Sequence, residues 1–595
     1  MVLSQALRRD ILLGSVAGVI GGLVFAWALS LQGMMGETAG LLGFSSVGAG
    51  VLLHLATSAA VGASFGALFR YHPDKLAATI SLGVIYGLVW WILGPLTVSP
   101  ILMGRSPTWE ITEAGASFLN LVGHVVYGGV TGLSFYALGS LYLRRKPKAA
   151  AKVAAPDRPM HRVVILGGGF AGITTAQRLE RLTARRGDVQ ITLVSDTNFL
   201  LFTPMLAEVA SSALEAQHIS APIRASCPHT IFFRGSVESI DTDQQTVRVR
   251  AAEHLPPEDL SYDHLVLTLG AVPAYYDLPG LEDRAFTLKT LEDATRLRNH
   301  VLAMMERADV ESDPEERRRQ LTFVAVGAGF AGTEVMAELF DMARSVLPYY
   351  PRIEPEEIRF MVVHSGDRIL PELSPELAEY CLRILQARGI EFRLETRVSG
   401  ATDAAVLLQG VEPIQTRTIV WTAGNQPNPI IATMSLERDR RGAVIAQPTL
   451  QAQGFKNVWV AGDCAAVPDP DNDGRPYPPT AQHALREGRL VAENVVAVLG
   501  GGSPRDFRFR TLGLMLALGH RTAAAELLGR RFSGFLAWMM WRTIYLGKLP
   551  GIERKVRVLL DWILDVFFPR DIVLTGDTAA PAAAGSPEPD REGDR

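Results

Sequence analysis

The residues best suited to chemistry are two sets of glycines. Gly167-x-Gly169-x-x-Gly172 follows the apolar run Val163–Leu166 and opens a helical pattern. Gly327-x-Gly329-x-x-Gly332 repeats the arrangement 160 residues later, after Leu321-TFVAV. In this setting the first glycine permits a tight strand-to-helix turn, the second lets the backbone reach a pyrophosphate, and the third packs helix on strand. The phosphates then rest on free amides at a helix N-terminus, where the macrodipole is positive. Two fingerprints therefore imply two dinucleotides. Asp196 closes the strand Ile191-TLVSD, 24 residues after Gly172, where a carboxylate meets a ribose hydroxyl. Three further pieces fit the first domain resuming after an inserted second: Asp263-HLVLTLGAVP, with its turn at Gly270; Ile419-VWTAG; and Val458-WVAGDCA, whose Gly462 and Asp463 end a strand. The Asp463 carboxylate is placed to hydrogen-bond a flavin's ribityl or pyrophosphate region. The cysteines Cys227, Cys381 and Cys464 show no CxxC spacing, which argues against a disulfide framework, an iron–sulfur centre and a dithiol site. No metal site is expected, so electrons would need an organic cofactor.

Such residues must be held by alternating strands and helices, and the chain is not uniform in supplying them. Residues 1–143 hold ten charged side chains, whereas the other 452 hold 110, so two solvents are implied. Four uncharged stretches are long enough to cross a bilayer: Ile11–Leu31, Val47–Phe69, Leu76–Val98 and Ala116–Leu143. Arg8, Arg9, Arg70, Lys75, Arg144, Arg145, Lys146 and Lys148 flank one side of these spans, against Arg105 on the other, which sets both ends in the cytoplasm. The two hairpins look like a tandem repeat. His54-LATSAAVGASFGAL aligns with His124-VVYGGVTGLSFYAL, and Gly14/Gly18 match Gly83/Gly87 as small-xxx-small pairs. The paired histidines suit an interhelical hydrogen bond, with haem ligation or a proton or quinone path as alternatives. The net charge of −4 gives no basis for a nucleic-acid partner.

Residues 160–575 resemble the type II NADH dehydrogenases, the single-subunit, non-proton-pumping NADH:quinone oxidoreductases of the two-dinucleotide-binding-domain flavoproteins. The resemblance rests on Gly167-GGFAG, Asn198-FLLFTP, Gly327-AGFAGTE, Trp421-TAG, Gly462-DCA, Pro479-TAQHA and Trp541-R…Leu549-PG…Asp561-W. It implies an α/β fold of two Rossmann-like domains with C-terminal amphipathic helices, preceded here by an all-α transmembrane segment. The expected division is 1–143 four membrane helices, 144–159 linker, 160–275 and 436–510 the two parts of an FAD domain, and 276–435 an NAD(P)H domain. Residues 511–575 would associate with the membrane and 576–595 form a disordered tail. Residues 1–143 lie outside the usual family pattern.

The resemblance implies non-covalent FAD on Gly167, Gly169 and Gly172, with Thr203, Gly270, Gly462, Asp463 and Ala481 near it. It implies NADH on Gly327, Gly329 and Gly332. Glu334 matches the carboxylate beside the nicotinamide, and Gln482 the amide that faces the quinone head group and can donate to its developing negative oxygen. Three departures stand out. Arg486 replaces the second glutamine of the quinone motif, Ser195 moves the ribose acid by one to Asp196, and His364 occupies the usual glutamate position with Arg368 nearby. The last change removes repulsion against a 2′-phosphate, so NADPH is an alternative donor.

Ile552, Val556, Leu559, Ile563 and Phe567 form an apolar helical stripe, and Trp538, Trp541 and Trp562 are expected as interfacial anchors. This reads as a monotopic helix pair in the cytoplasmic leaflet, although a homodimer interface would carry the same pattern. The expected location is the inner (cytoplasmic) membrane. A sulfide:quinone oxidoreductase-like enzyme, which needs paired cysteines, and a non-enzymatic redox-sensing membrane flavoprotein are the alternatives.

Overall fold

The computed structural model describes residues 5–31, 46–69, 76–104, 118–144, 160–519, 521–527 and 529–574. The chain divides into two units, Met1–Lys152 and Val153–Arg595. Arg70, Lys75, Arg105, the linker at 145–159 and the tail at 576–595, on which orientation and tethering were argued, lie outside the described residues.

The first unit contains the helices Gln5–Leu31, Val47–Leu68, Leu76–Leu93 and Phe118–Arg144, and four segments are long and apolar enough to cross a membrane. The third helix widens into a π-turn at Gly94–Val98, where Pro95 supplies no N–H, and resumes as Ser99–Leu102. The small-residue pairs are realised as close contacts. A Cβ on Gly14 would lie 2.3 Å from the Gly62 carbonyl, and one on Gly83 would lie 2.1 Å from that of Gly128. His54 Nε2 meets the Gly22 carbonyl of the first helix at 3.1 Å, the interhelical bond expected of it. His124 Nδ1 instead meets Asn120 O within its own helix, and both imidazoles lie edge-on to Phe25. Among the described residues there is no group of three metal-ligating side chains.

The second unit is built on two parallel five-stranded sheets. The first runs in the order Val458–Val460, His264–Leu267, His161–Leu166, Val189–Ser195 and Ile231–Arg234. The second runs Ala285–Phe286, Thr418–Trp421, Thr322–Val326, Arg359–Val363 and Ile390–Arg393. Each fingerprint strand is central in its sheet, buried on both faces, which is why it reads as an unbroken apolar run. Of the two readings of Ile419-VWTAG, as a piece of the returning first domain and as part of 276–435, the first is corrected. Its strand pairs with Thr322–Val326, because a short apolar run suits either parallel sheet and only the pairing decides.

A three-stranded antiparallel sheet (Gly513–Ala517, Ala523–Leu527, Arg530–Ser533) leads to the helices Gly534–Lys548 and Ile552–Phe567. Here too the expectation is amended. Trp541 and Trp562 are buried in the core that joins this region to the second sheet, so they are not interfacial anchors. The large apolar side chains left outside are Phe535, Leu536 and Met539 on one helix and Leu560, Ile563, Leu564, Val566 and Phe567 on the other.

Candidate active site

The two glycine loops are near copies at the level of individual atoms. Gly167 and Gly327 take φ of +109° and +110°, a region that costs other residues strain. A Cβ on Gly172 would lie 1.9 Å from the Gly167 carbonyl, and one on Gly332 the same distance from that of Gly327. A threonine braces each turn. Thr268 Oγ1 reaches the Leu166 carbonyl at 2.7 Å and that of Gly167 at 3.2 Å, while Thr422 Oγ1 reaches Val326 and Gly327 at 3.0 and 3.1 Å. Thr422 thus does for the second loop what Thr268 does for the first, in accord with the corrected strand assignment. The middle glycines differ from their neighbours. A Cβ on Gly169 would meet no atom within 4 Å, and one on Gly329 only Glu372 Oε1 at 3.8 Å. Each caps its helix without a side-chain hydrogen bond, leaving open space over free amides, the form a pyrophosphate requires.

Around the first loop, Ser195 rather than Asp196 meets the glycines: a Cβ on Gly168 would lie 2.6 Å from Ser195 Oγ. The Asp196 carboxylate accepts from the Thr197 amide at 2.7 Å and is exposed. Thr203 begins a 3-10 turn and is also exposed, and Gly270 turns the chain with φ of +68°. Gly462, at φ of +77°, donates its N–H to Glu487 Oε2 at 2.7 Å. Asp463 beside it is half-buried. Burial pushes its carboxyl above the usual range, opposed by the charge of Lys289, whose own pKa burial lowers. Neither Lys289 nor Glu487 was picked out from the sequence. Burial pushes the Glu487 carboxyl up to about 7.

The helix Ala481–Leu499 is capped by Thr480 and packs on Phe170–Thr183, where Thr175 Oγ1 donates to Gly488 O at 3.0 Å and Arg178 pairs with Glu493 at 2.6 Å. A Cβ on Gly488 would lie 2.3 Å from the Ala171 carbonyl, so glycine permits this approach. The approach lays the middle of this helix, at Gly488, against the first turn of Phe170–Thr183, with Ala481 and Gln482 at its N-terminal end. Gln482 Nε2 donates to the Gly513 carbonyl at 2.8 Å, which fixes the amide's orientation because that partner can only accept. Four residues along the same strand, the Ala517 amide donates to Glu334 Oε1 at 3.0 Å. A single strand therefore holds both expected catalytic side chains, one at each end. Burial pushes the Glu334 carboxyl up to about 8, with the Ala517 bond opposing and the charges of Glu208 and Glu338 adding. Arg486 donates to the Gln482 carbonyl and lies 3.9 Å over the Phe509 ring, so its charge is turned aside from the amide.

At the second loop, His364 Nδ1 accepts from the Ala328 amide at 3.3 Å, and burial lowers its pKa, keeping the imidazole neutral. Arg368 is held by the carbonyls of Pro371 and Leu373 in its own turn. The cysteines Cys227, Cys381 and Cys464 are buried and free.

Comparison with known proteins agrees with this architecture. The sequence profile of pyridine nucleotide-disulphide oxidoreductases matches residues 161–488, and that of the NDH2 C-terminal domain matches 512–571. The chain is 31% identical over 424 residues to the type II NADH:quinone oxidoreductase Ndh of Mycobacterium tuberculosis, covering 69% of this chain and 88% of that one. It is 32% identical over 409 residues to the demethylphylloquinone reductase NdbB of Synechocystis, covering 68% and 95%. The structure of NDH2 from Plasmodium falciparum in complex with NADH superposes with a TM-score of 0.65 at 16% identity, covering 69% of this chain and 99% of that one. The paired glycine loops, the strand that joins Gln482 to Glu334 and these relationships together show that the chain belongs to the type II NADH:quinone oxidoreductase family.

Proposed function

We propose that this protein takes two electrons from NADH and passes them through FAD to a membrane quinone, without pumping protons. The observation that carries the reading is the strand Gly513–Ala517, whose ends hydrogen-bond Gln482 and Glu334, the latter one turn into the helix of the second glycine loop. Bound FAD supplies the redox chemistry, accepting hydride and releasing electrons singly or in pairs. The chain supplies position and electrostatics. Gly167, Gly169 and Gly172 leave room for the FAD pyrophosphate, with Thr203, Gly270, Gly462, Asp463 and Ala481 around it and Asp196 as the ribose acid. Lys289 offsets the Asp463 charge. Gly327, Gly329 and Gly332 receive the nicotinamide dinucleotide. Glu334, protonated at neutral pH, holds a proton beside the reacting groups, and Gln482 keeps a second N–H for the quinone oxygen.

Lipid is the partner of the exposed C-terminal face: eight large apolar side chains on two helices suit a leaflet better than water. The chain also carries four helices able to span, and the Lys and Arg distribution supports a multi-pass inner-membrane protein with its catalytic unit in the cytoplasm. A homodimer is not needed to cover that face. One observation favours a second donor. His364 presents no negative charge to a 2′-phosphate, so NADPH is accepted beside NADH. Steady-state oxidation of NADH, NADPH and sulfide by a soluble quinone, repeated with Glu334→Gln and Gln482→Ala, tests the reading. Failure of all donors defeats the enzymatic function, and unchanged rates in both variants defeat the site assignment.

A further inference from the structure

Behind Glu334 lies a buried acidic cluster with no role so far. Glu334 and Glu338 stand one turn apart on the helix Phe330–Val346. Glu208, on the short helix Leu206–Ala210, lies against the same helix: Ser211 Oγ donates at 3.1 Å to its backbone carbonyl and to Glu338 Oε2, and the Glu208 charge acts on Glu334. The C-terminal helices close the cluster. Trp562 Nε1 donates to Glu208 Oε1 at 3.0 Å, and Arg542, lying 4.1 and 4.5 Å over the Trp538 and Trp562 rings, comes within 3.7 Å of the same oxygen. Arg570 pairs with Glu338 at 3.0 Å and with Asp565 at 3.3 Å. Four carboxyls, Glu208, Glu334, Glu338 and Asp565, thus face two guanidiniums. Full ionisation would leave uncompensated buried charge, so the cluster is most stable with a proton on board. Glu208 is 4% exposed, and its second oxygen, Oε2, has no hydrogen-bond partner. The Nε of Arg542, whose guanidinium approaches the other oxygen, is likewise without a hydrogen-bond partner.

We propose that Glu208 is a proton-loading carboxyl that refills Glu334 during quinone reduction, drawing its own replacement from solvent on the side where Asp565 lies. Asp565 is 20% exposed and is the outer member of the cluster. The inference rests on the quinone-reductase reading. The reaction is NADH + quinone + H⁺ → NAD⁺ + quinol, in which the hydride brings both electrons and one hydrogen. The remaining proton leaves the Glu334 carboxyl for the quinone oxygen, the Glu208 O–H proton moves to the Glu334 carboxylate, and water reprotonates Glu208. Burial pushes the Glu208 carboxyl up to about 8 against the attraction of Arg542, with Glu338 and Asp565 adding to the rise, so the group is loaded at neutral pH.

Rapid mixing of the full-length holoenzyme separates flavin reduction by NADH from flavin reoxidation by a short-chain quinone, and infrared spectroscopy of the resting protein reads the carboxylic-acid stretch. Glu208→Gln keeps the shape and the acceptor for Trp562. It is expected to leave reduction within about twofold of wild type and slow reoxidation about tenfold, below the ~10²–10⁴ typical of a group touching the reacting atoms. Glu208→Asp recovers part of that rate, and the carboxylic-acid band at neutral pH weakens in the glutamine variant. Unchanged reoxidation, equal slowing of both half-reactions, loss of bound flavin in both variants, or an unchanged infrared band each overturns the role. Wild-type flavin that NADH reduces but quinone fails to reoxidise defeats the underlying function, and the proposal with it.

Discussion

The middle glycines of the two loops separate the cofactor sites from each other. Gly169 and Gly329 have φ of −79° and −76° and open space above them, so a side chain there strains nothing in the protein and meets a ligand instead. Gly169→Val is expected to purify folded but without flavin absorbance, whereas Gly329→Val keeps its flavin and loses reduction by NADH. Two variants alike in both assays would contradict the assignment. Glu334 makes a pH prediction. Its folded pKa of about 8 lies above the unfolded value near 4.5, so the native state binds the proton more tightly and stability falls as pH rises between those values. Turnover, if the protonated form is the donor, declines as pH passes about 8. Glu334→Gln should lower turnover by roughly 10² and flatten the melting-temperature slope over that window; an unaltered alkaline limb in the variant would exclude Glu334 as its source. Of this site, the glycine loops were legible because motif spacing fixes their local backbone, while Glu334 and Gln482 were singled out by the family resemblance alone. Lys289, Glu487 and the Glu208–Arg542 contact were not, since each depends on segments far apart in the chain that meet only through tertiary packing.

At the scale of elements, the alternation of apolar runs and helical patterns was sufficient to locate the central strand of each sheet. It could not assign Thr418–Trp421, because a short buried strand carries no mark of which sheet it joins; the hydroxyl of Thr422 under Gly327 is the distinguishing feature, and it is visible only in space. The C-terminal helix illustrates a second limit. Its apolar positions exceed one face, and periodicity did not tell which residues the core would take. Val558 and Trp562 turned inward, leaving Leu560, Ile563, Leu564, Val566 and Phe567 outside. Leu564→Glu with Phe567→Glu should therefore leave NADH oxidation by a soluble quinone intact. Turnover with a long-chain quinone in vesicles should fall about tenfold or more, given ~1.5–3 kcal/mol for each large apolar side chain buried. Equal turnover with both acceptors in this variant would show that the face does not meet lipid.

Across the whole molecule, a unit with four helices long and apolar enough to cross a membrane precedes one in which the two family profiles match residues 161–488 and 512–571. We propose that these helices keep the enzyme permanently among its acceptors. Removing residues 1–150 is expected to leave flavin reduction by NADH unchanged while the protein becomes extractable from vesicles by high salt and turns over membrane quinone more slowly. Unchanged retention and quinone turnover would remove that rationale. The central claim, that paired nucleotide sites pass electrons from a nicotinamide to a quinone through one flavin, is tested most directly by an anaerobic titration of the purified full-length protein followed in the visible spectrum. The account predicts a flavin spectrum that one equivalent of NADH bleaches and one equivalent of quinone restores. A protein that folds and binds NADH but shows no visible chromophore, or a flavin that NADH leaves oxidised, would contradict it.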